Sequence, residues 1–260
     1  MHNAAFAELK LNWRYLAFEV EPANLRAAIE GAKVMGFAGL NLTLPHKLLA
    51  VDMVDALDES AKVWGAVNTI RFGSDGAVGF NTDADGLANS LREDFKLNLR
   101  GVKVLLLGVG GAGRTAALKL AAENVAELFL VNRTPSKAQA IASEIKTRFP
   151  SVNAVVGYPK ANVDLILNAT SLGLKLDDAS PLDEKQFSLK QTRAVYDMIY
   201  RPAETALLAA AKKAGCQTAN GLGMLLHQGA KAFEIWTGRA APLETMRRAL
   251  EDNVYGPAKS

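Results

Sequence analysis

Two rhythms of apolar positions divide this chain. Near its start, Ala4, Ala5, Leu9 and Leu11 recur at helical spacing, and Leu16, Phe18 and Val20 then alternate as in a strand. After Pro22, "ANLRAAIEGAKVMG" predicts an amphipathic helix ended by Gly36, and "FAGLNLTL" predicts a strand stopped by Pro45. "VNTIRF" and "AVGFNT", joined by the tight "GSDG", predict a hairpin, and a connecting helix follows from Asp83 to about Phe95.

From there the rhythm changes. "VKVLLLG", "AELFLVN", "NAVVGY", "DLILNAT", "AVYDMI" and "CQTAN" are short β-rich runs, most of them separated by Ala-rich helical stretches. Near-continuous apolar strands alternating with helices predict a parallel sheet covered on both faces. Six such strands fit a doubly wound, Rossmann-type domain. Beyond Gly221 the chain turns helical again, through "LGMLLHQGAKAFEIWTG" and "APLETMRRALEDNV", and these helices are expected to pack on the first domain. The fold class is α/β in two domains, residues 1–83 with 221–260 and residues 84–220.

Composition changes this picture little. At 260 residues, 49% of them hydrophobic and 22% charged, the chain can bury two modest cores. The net charge of +3 comes from 30 basic and 27 acidic side chains without a basic run, so neither a nucleic acid nor a membrane surface is an expected partner. No apolar stretch reaches the length of a membrane span, and no secretory signal is present. A single cysteine, Cys216, excludes an internal disulfide and fits a cytoplasmic setting. His2, His46 and His227 have no partners at metal-ligand spacing, so no metal is expected.

Candidate chemistry lies at two places. In "VKVLLLGVGGAGRTAALKLAA", Gly108, Gly110 and Gly113 form Gly-x-Gly-x-x-Gly between a strand and a helix, the arrangement that brings backbone and helix N-terminus to a pyrophosphate. About 20 residues on, where an acid would bind the ribose hydroxyls of NAD, stand Asn132, Arg133 and Thr134, with Lys137 one turn further. A guanidinium binds a 2′-phosphate that an acid would repel, so NADP(H) is the expected cofactor; the other reading is a solvated basic loop. In "GLNLTLPHK" and "GFNTDADG", Lys47 and Asp83 follow strand ends and could bind an alcohol and move its proton. By residue type alone they could equally form a plain surface ion pair.

The motifs "GLNLTLPHK", "GAVNTI", "GFNTDADG", "LLGVGGAGRTAA", "VNRTPSKA", "NATSLGL", "YDMIYRPAETALLAAAKKAG" and "NGLGMLLHQGAKAFEIWTG" resemble, in order and spacing, the shikimate dehydrogenase family. The resemblance runs from Met1 to about Gly238. It implies a substrate-binding domain with a mainly parallel sheet beside an NADP-binding Rossmann domain. It implies Lys47 and Asp83 as the catalytic pair, with Asn41, Thr43, Asn68, Tyr200 and Gln228 joining them at the substrate. It places cofactor contacts at Gly108, Gly110, Gly111, Ala112, Gly113, Asn132, Arg133, Thr134, Lys137, Thr170, Met198 and Gly221. The implied reaction is reversible, NADP-dependent reduction of 3-dehydroshikimate to shikimate in aromatic amino-acid biosynthesis. The expected partners are this small-molecule substrate and, in a homodimer, a second copy of the chain. The alternatives are a quinate/shikimate paralogue and an NADP-binding protein without turnover.

One departure bears on the last alternative. Members of that family begin with a strand and a Ser-x-Ser-Pro turn, whose serines bind the substrate carboxylate, before a "MHNAAF"-like helix. This chain starts at the methionine of that helix. The resemblance therefore implies that Met1 is an internal methionine, with a naturally shortened chain as the rival. The expected consequence is a first sheet short of one strand, which is destabilised or repaired by rearrangement or dimer contact.

Overall fold

The computed structural model describes residues 1–175 and 177–256. The chain forms two compact units, Met1–Gly86 with Leu226–Ser260, and Leu87–Leu225.

The first unit opens with α1 (His2–Glu8), α2 (Leu25–Val34), β1 (Gly39–Asn41), α3 (His46–Leu49), β2 (Ala56–Leu57), α4 (Glu59–Trp64), β3 (Thr69–Gly73) and β4 (Gly76–Phe80), and runs into α5 (Asp83–Phe95). The stripe on α2 is the predicted one: Leu25, Ile29 and Ala32 are buried at i, i+4 and i+7. Gly36 follows that helix with φ +75°. Leu25 and Ile29 join Ala61, Val67, Ile70 and Ala77 in one core. The predicted hairpin closes with Gly73 opposite Gly76 across Ser74 and Asp75, and Gly76 has φ +92°.

Two expectations for this unit need correction. Its sheet, in the order β1-β3-β4-β2, is mixed rather than mainly parallel. β3 runs against both β1 and β4, and only β2 and β4 are parallel. A two-residue turn leaves β3 and β4 no other arrangement, because parallel neighbours need a long crossover. The alternation at Leu16, Phe18 and Val20 also makes no strand. Residues 11–20 have no regular secondary structure, and Leu16 and Phe18 are each 64% exposed. Alternation becomes a strand only where a neighbouring backbone completes a ladder, and among the described residues none pairs with this segment. Side chains tie it down instead. The Asn3 amide donates to Tyr15 O (3.0 Å) and accepts from Tyr15 N (2.7 Å), and the His46 ring meets Val20 O at 2.9 Å.

The second unit follows the predicted alternation: β5 (Lys103–Leu107), α6 (Gly111–Ala122), β6 (Glu127–Val131), α7 (Pro135–Arg148), β7 (Asn153–Val156), β8 (Val163–Asn168), β9 (Thr192–Asp197), α8 (Ala206–Lys213) and β10 (Gln217–Asn220). All five pairings of its sheet, in the order β10-β9-β8-β5-β6-β7, are parallel. The middles of the central strands are apolar because both faces are covered; Leu105, Leu107, Ile166 and Val195 are buried with Phe187, Leu207 and Leu208. The chain winds outward from β5 in one direction and from β8 in the other, so the switch point lies between these two strands.

Two helices end the chain, α9 (Leu222–Thr237) and α10 (Leu243–Tyr255). Most of α9 and all of α10 belong to the first unit, where the Trp236 indole donates to Ile70 O at 2.9 Å. No helix among the described residues is long and apolar enough to cross a membrane.

Candidate active site

In the second unit, the turn after β5 sits at the switch point. Gly108 has φ +90°, and a Cβ there would lie 2.7 Å from Thr170 Cγ2. A Cβ on Gly113 would come within 2.1 Å of Gly108 O, so this glycine lets α6 press against the turn. Gly110 and Gly111 are different. Nothing lies within 4 Å of a Cβ at either, so here the backbone borders open space at a helix N-terminus. Ala112 follows in the first turn of α6.

Asn132, just after β6, accepts from Val109 N (3.1 Å) and donates to Thr134 O (2.9 Å). Its amide thus holds the glycine turn to its own loop. Arg133, Thr134 and Lys137 are exposed around the start of α7. Thr170, after β8, donates its hydroxyl to Asn168 Oδ1 (2.7 Å), and Met198 N donates to Asn168 O (3.0 Å). Gly221 lies so close to Met198 that a Cβ would meet its carbonyl oxygen at 2.0 Å. Beneath these loops Asp197 is fully buried and accepts from Thr205 Oγ1, Ile199 N and Asn168 Nδ2. Burial raises its carboxyl above the ordinary range against those three donors.

In the first unit, Lys47 from α3 and Asp83 at the start of α5 meet with Nζ 2.8 Å from Oδ2. Their side chains are only 23% and 15% exposed, which removes the surface ion-pair reading. Asn81 precedes α5 and accepts from Asp83 N (3.1 Å), fixing where that helix begins. Around the pair lies a set of amides and hydroxyls. Asn68 Nδ2 reaches Asp83 Oδ1 (3.0 Å), Thr82 Oγ1 (2.9 Å) and Gln228 Oε1 (3.3 Å). Asn68 Oδ1 accepts from Thr82 N (2.8 Å) and from the Thr69 hydroxyl (3.1 Å). Asn41 Nδ2 donates to Thr69 Oγ1 (2.9 Å) and Asn68 O (3.2 Å).

The residues expected at the substrate thus fall into two groups. Asn41, Lys47, Asn68, Asp83 and Gln228 form one hydrogen-bonded network. Thr43 is exposed in the turn before Lys47 and does not join it among the described residues, and Tyr200 belongs to the other unit, two residues from Met198. Sequence reasoning passed over Thr69 and Thr82. The signal was present, because both stand in an Asn-Thr pair, "VNT" where β3 begins and "FNT" just past the end of β4. Tyr15, just before the alternation that begins at Leu16, was missed as well.

A parallel sheet with an open glycine turn at its switch point, and a half-buried lysine–aspartate pair set among amides and hydroxyls, define a dinucleotide-dependent oxidoreductase acting at a hydroxyl-bearing carbon. Family models describe the same chain in three parts: a shikimate dehydrogenase substrate binding domain at residues 1–70, shikimate/quinate 5-dehydrogenase at 89–198, and the shikimate 5′-dehydrogenase C-terminal domain at 221–251. The shikimate dehydrogenase (NADP(+)) of Methanopyrus kandleri is 41% identical over 98% of this chain and 90% of its own length. A crystal structure of shikimate dehydrogenase in complex with NADP+ matches with TM-score 0.89 and 39% identity, over 97% of this chain and 89% of that one. The Thermus thermophilus enzyme, in complex with NADP(H) and shikimate, matches with TM-score 0.84 and 36% identity, over 96% and 92%. The chain belongs to the shikimate dehydrogenase family.

Proposed function

We propose that this protein is an NADP-dependent shikimate dehydrogenase, reducing the ketone of 3-dehydroshikimate to the hydroxyl of shikimate and catalysing the reverse. The observation that carries the reading is the Lys47–Asp83 pair at 2.8 Å, half-buried and bordered by Asn68 and Gln228.

The glycine turn fits the cofactor, since the backbone at Gly110 and Gly111 borders open space that a side chain would fill. The pyrophosphate would lie there, against the N-terminus of α6, with Gly108, Ala112 and Gly113 shaping the turn. Arg133 and Lys137, with Thr134 beside them, would hold a 2′-phosphate, and Asn132 keeps that loop beside the turn. Thr170, Met198 and Gly221 would border the nicotinamide. NADPH, when bound, supplies the hydride.

The chain's own residues then manage the oxygen. As the ketone carbon is reduced, negative charge builds on its oxygen, and Lys47 Nζ gives that oxygen a proton. In oxidation, the Lys47 amine takes the proton back. Asp83 accepts from Lys47 through Oδ2 and from Asn68 through Oδ1, so it holds both groups at fixed positions. Asn41, Thr43, Asn68 and Gln228 would bind the remaining hydroxyls. A site of paired polar groups rejects analogues that leave one of them unpaired.

The test is steady-state NADP⁺ reduction with shikimate, with quinate and NAD⁺ assayed alongside and cofactor binding measured separately. Turnover with shikimate and NADP⁺ is the expected result. Preference for quinate would move the reading to a paralogue, and cofactor binding without turnover of either acid would overturn it.

A further inference from the structure

The network around Asp83 has a direction, and it starts outside the residues assigned to substrate or cofactor. Tyr15 donates its hydroxyl to Asn41 Oδ1 at 3.0 Å. Asn41 Nδ2 donates to Thr69 Oγ1 at 2.9 Å, and Thr69 Oγ1 donates to Asn68 Oδ1 at 3.1 Å. Asn68 Nδ2 donates to Asp83 Oδ1 at 3.0 Å, while Lys47 occupies Oδ2 of the same carboxylate.

Backbone groups leave these amides no other orientation. The Asn68 carbonyl can only accept, so it must face the N–H side of Asn41 (3.2 Å). The Asn41 oxygen therefore faces Tyr15, which must be the donor. Thr82 N can only donate, so it fixes Asn68 Oδ1 (2.8 Å) and turns the other side of that amide toward Asp83. Thr69 lies between two amides of known orientation, receiving from one and donating to the other. Strand register puts it there, because Asn41 and Thr69 are directly paired across β1 and β3.

Tyr15 is itself held. The Asn3 amide bonds both its N–H and its carbonyl, and the His2 ring stacks on it at 4.4 Å. Burial pushes its phenol pKa up, so it keeps the proton that it donates. The network also limits what Asn41 can offer a ligand. Both its N–H groups and one lone pair of Oδ1 are engaged within the protein, so it presents a single acceptor site, suited to a substrate hydroxyl.

We propose that Tyr15 and Thr69 are positioning residues for the reaction, at the head and the middle of a one-way chain of donors that orients Asn41, Asn68 and the Asp83 carboxylate. The proposal rests on the dehydrogenase reading above. Donors linked in series support one another, so the chain acts as a unit.

The experiment is a double-mutant cycle on shikimate oxidation in the full chain, using Tyr15→Phe, Thr69→Val, the pair, and Thr69→Ser. We expect Tyr15→Phe to lower kcat/KM for shikimate about 5-fold and Thr69→Val about 10-fold or more, with KM for NADP⁺ within about 2-fold of the native value. The double variant should be little worse than Thr69→Val alone, since a broken chain cannot be broken again. Thr69→Ser, which keeps the hydroxyl and trims the same side chain, should recover most of the loss. Single effects that multiply in the double variant would overturn the proposal, as would a serine no better than valine or an unchanged Tyr15→Phe. A native chain without shikimate turnover would defeat the dehydrogenase reading and this one together; an active native chain with uncoupled variants would defeat this one alone.

Discussion

Lys47 gains its setting from two short pieces of chain that the hairpin brings together. The stretch from β1 to α3 supplies the amine and the start of α5 supplies the carboxylate, which lies beside the Asn-Thr pairs of the hairpin. If Lys47 carries the proton, Lys47→Ala should lower kcat by about 10²–10⁴-fold. The affinity for NADP⁺ should stay unchanged, because the glycine turn belongs to the other unit. Steady-state kinetics with a separate cofactor titration checks both halves. At this scale the sequence was legible as a list of residues, and not as their wiring. Lys47, Asn68, Asp83 and Gln228 stand in motifs, whereas the place of Thr69 depends on strand register and that of Tyr15 on a contact across 26 residues. Local patterns carry neither.

Among the elements, the glycine turn separates packing from binding within four residues. A methyl group at Gly113 would press on Gly108 O at 2.1 Å, so Gly113→Ala should destabilise the unit by about 1–3 kcal/mol or more. A methyl at Gly110 meets nothing, and its backbone, at φ −65°, already suits any residue. Gly110→Ala should therefore melt within about 2 °C of the native protein. It should still lose NADP⁺ affinity, because the methyl enters the space that the pyrophosphate would take. Thermal melts and a cofactor titration on the two variants separate these effects. The inner strands of the second unit were readable because burial on both faces gives β5 and β8 long apolar runs, while the outer β7 and β10 were legible from the strand–helix alternation around them. In the first unit, β2 and α3 are two and four residues long, too short for any period to show. The alternation at Leu16, Phe18 and Val20 misled for the opposite reason: its period is clear, but a strand also needs a neighbour.

For the molecule as a whole, the two units carry buried titratable groups of opposite sign in their response to pH. Burial depresses His2 from 6.5 to about 4, so the folded first unit binds fewer protons than the unfolded chain between those values. The stability linked to this group is present above pH 6.5 and is lost as pH falls toward 4, by on the order of 3 kcal/mol. Asp197 is raised above 3.8, so its own contribution to the second unit has the reverse slope, fully present below 3.8 and lost as pH rises through the folded value. Calorimetry between pH 7 and 4.5 should show the first unit's transition moving down, without a matching fall in the second. His2→Phe should flatten the first response and Asp197→Asn the second.

The first unit is also discontinuous, with Leu87–Leu225 inserted between its two stretches. Gln228, which completes the amide cluster, and Trp236, which anchors α9 on β3, both lie beyond that insertion. During synthesis the ribosome must deliver the entire inserted unit before either arrives, a delay on the order of 10 s at typical translation rates. Until then the hairpin and its Asn-Thr pairs emerge without the helix that closes over them, and that exposed half-site is where a chaperone would find the nascent chain.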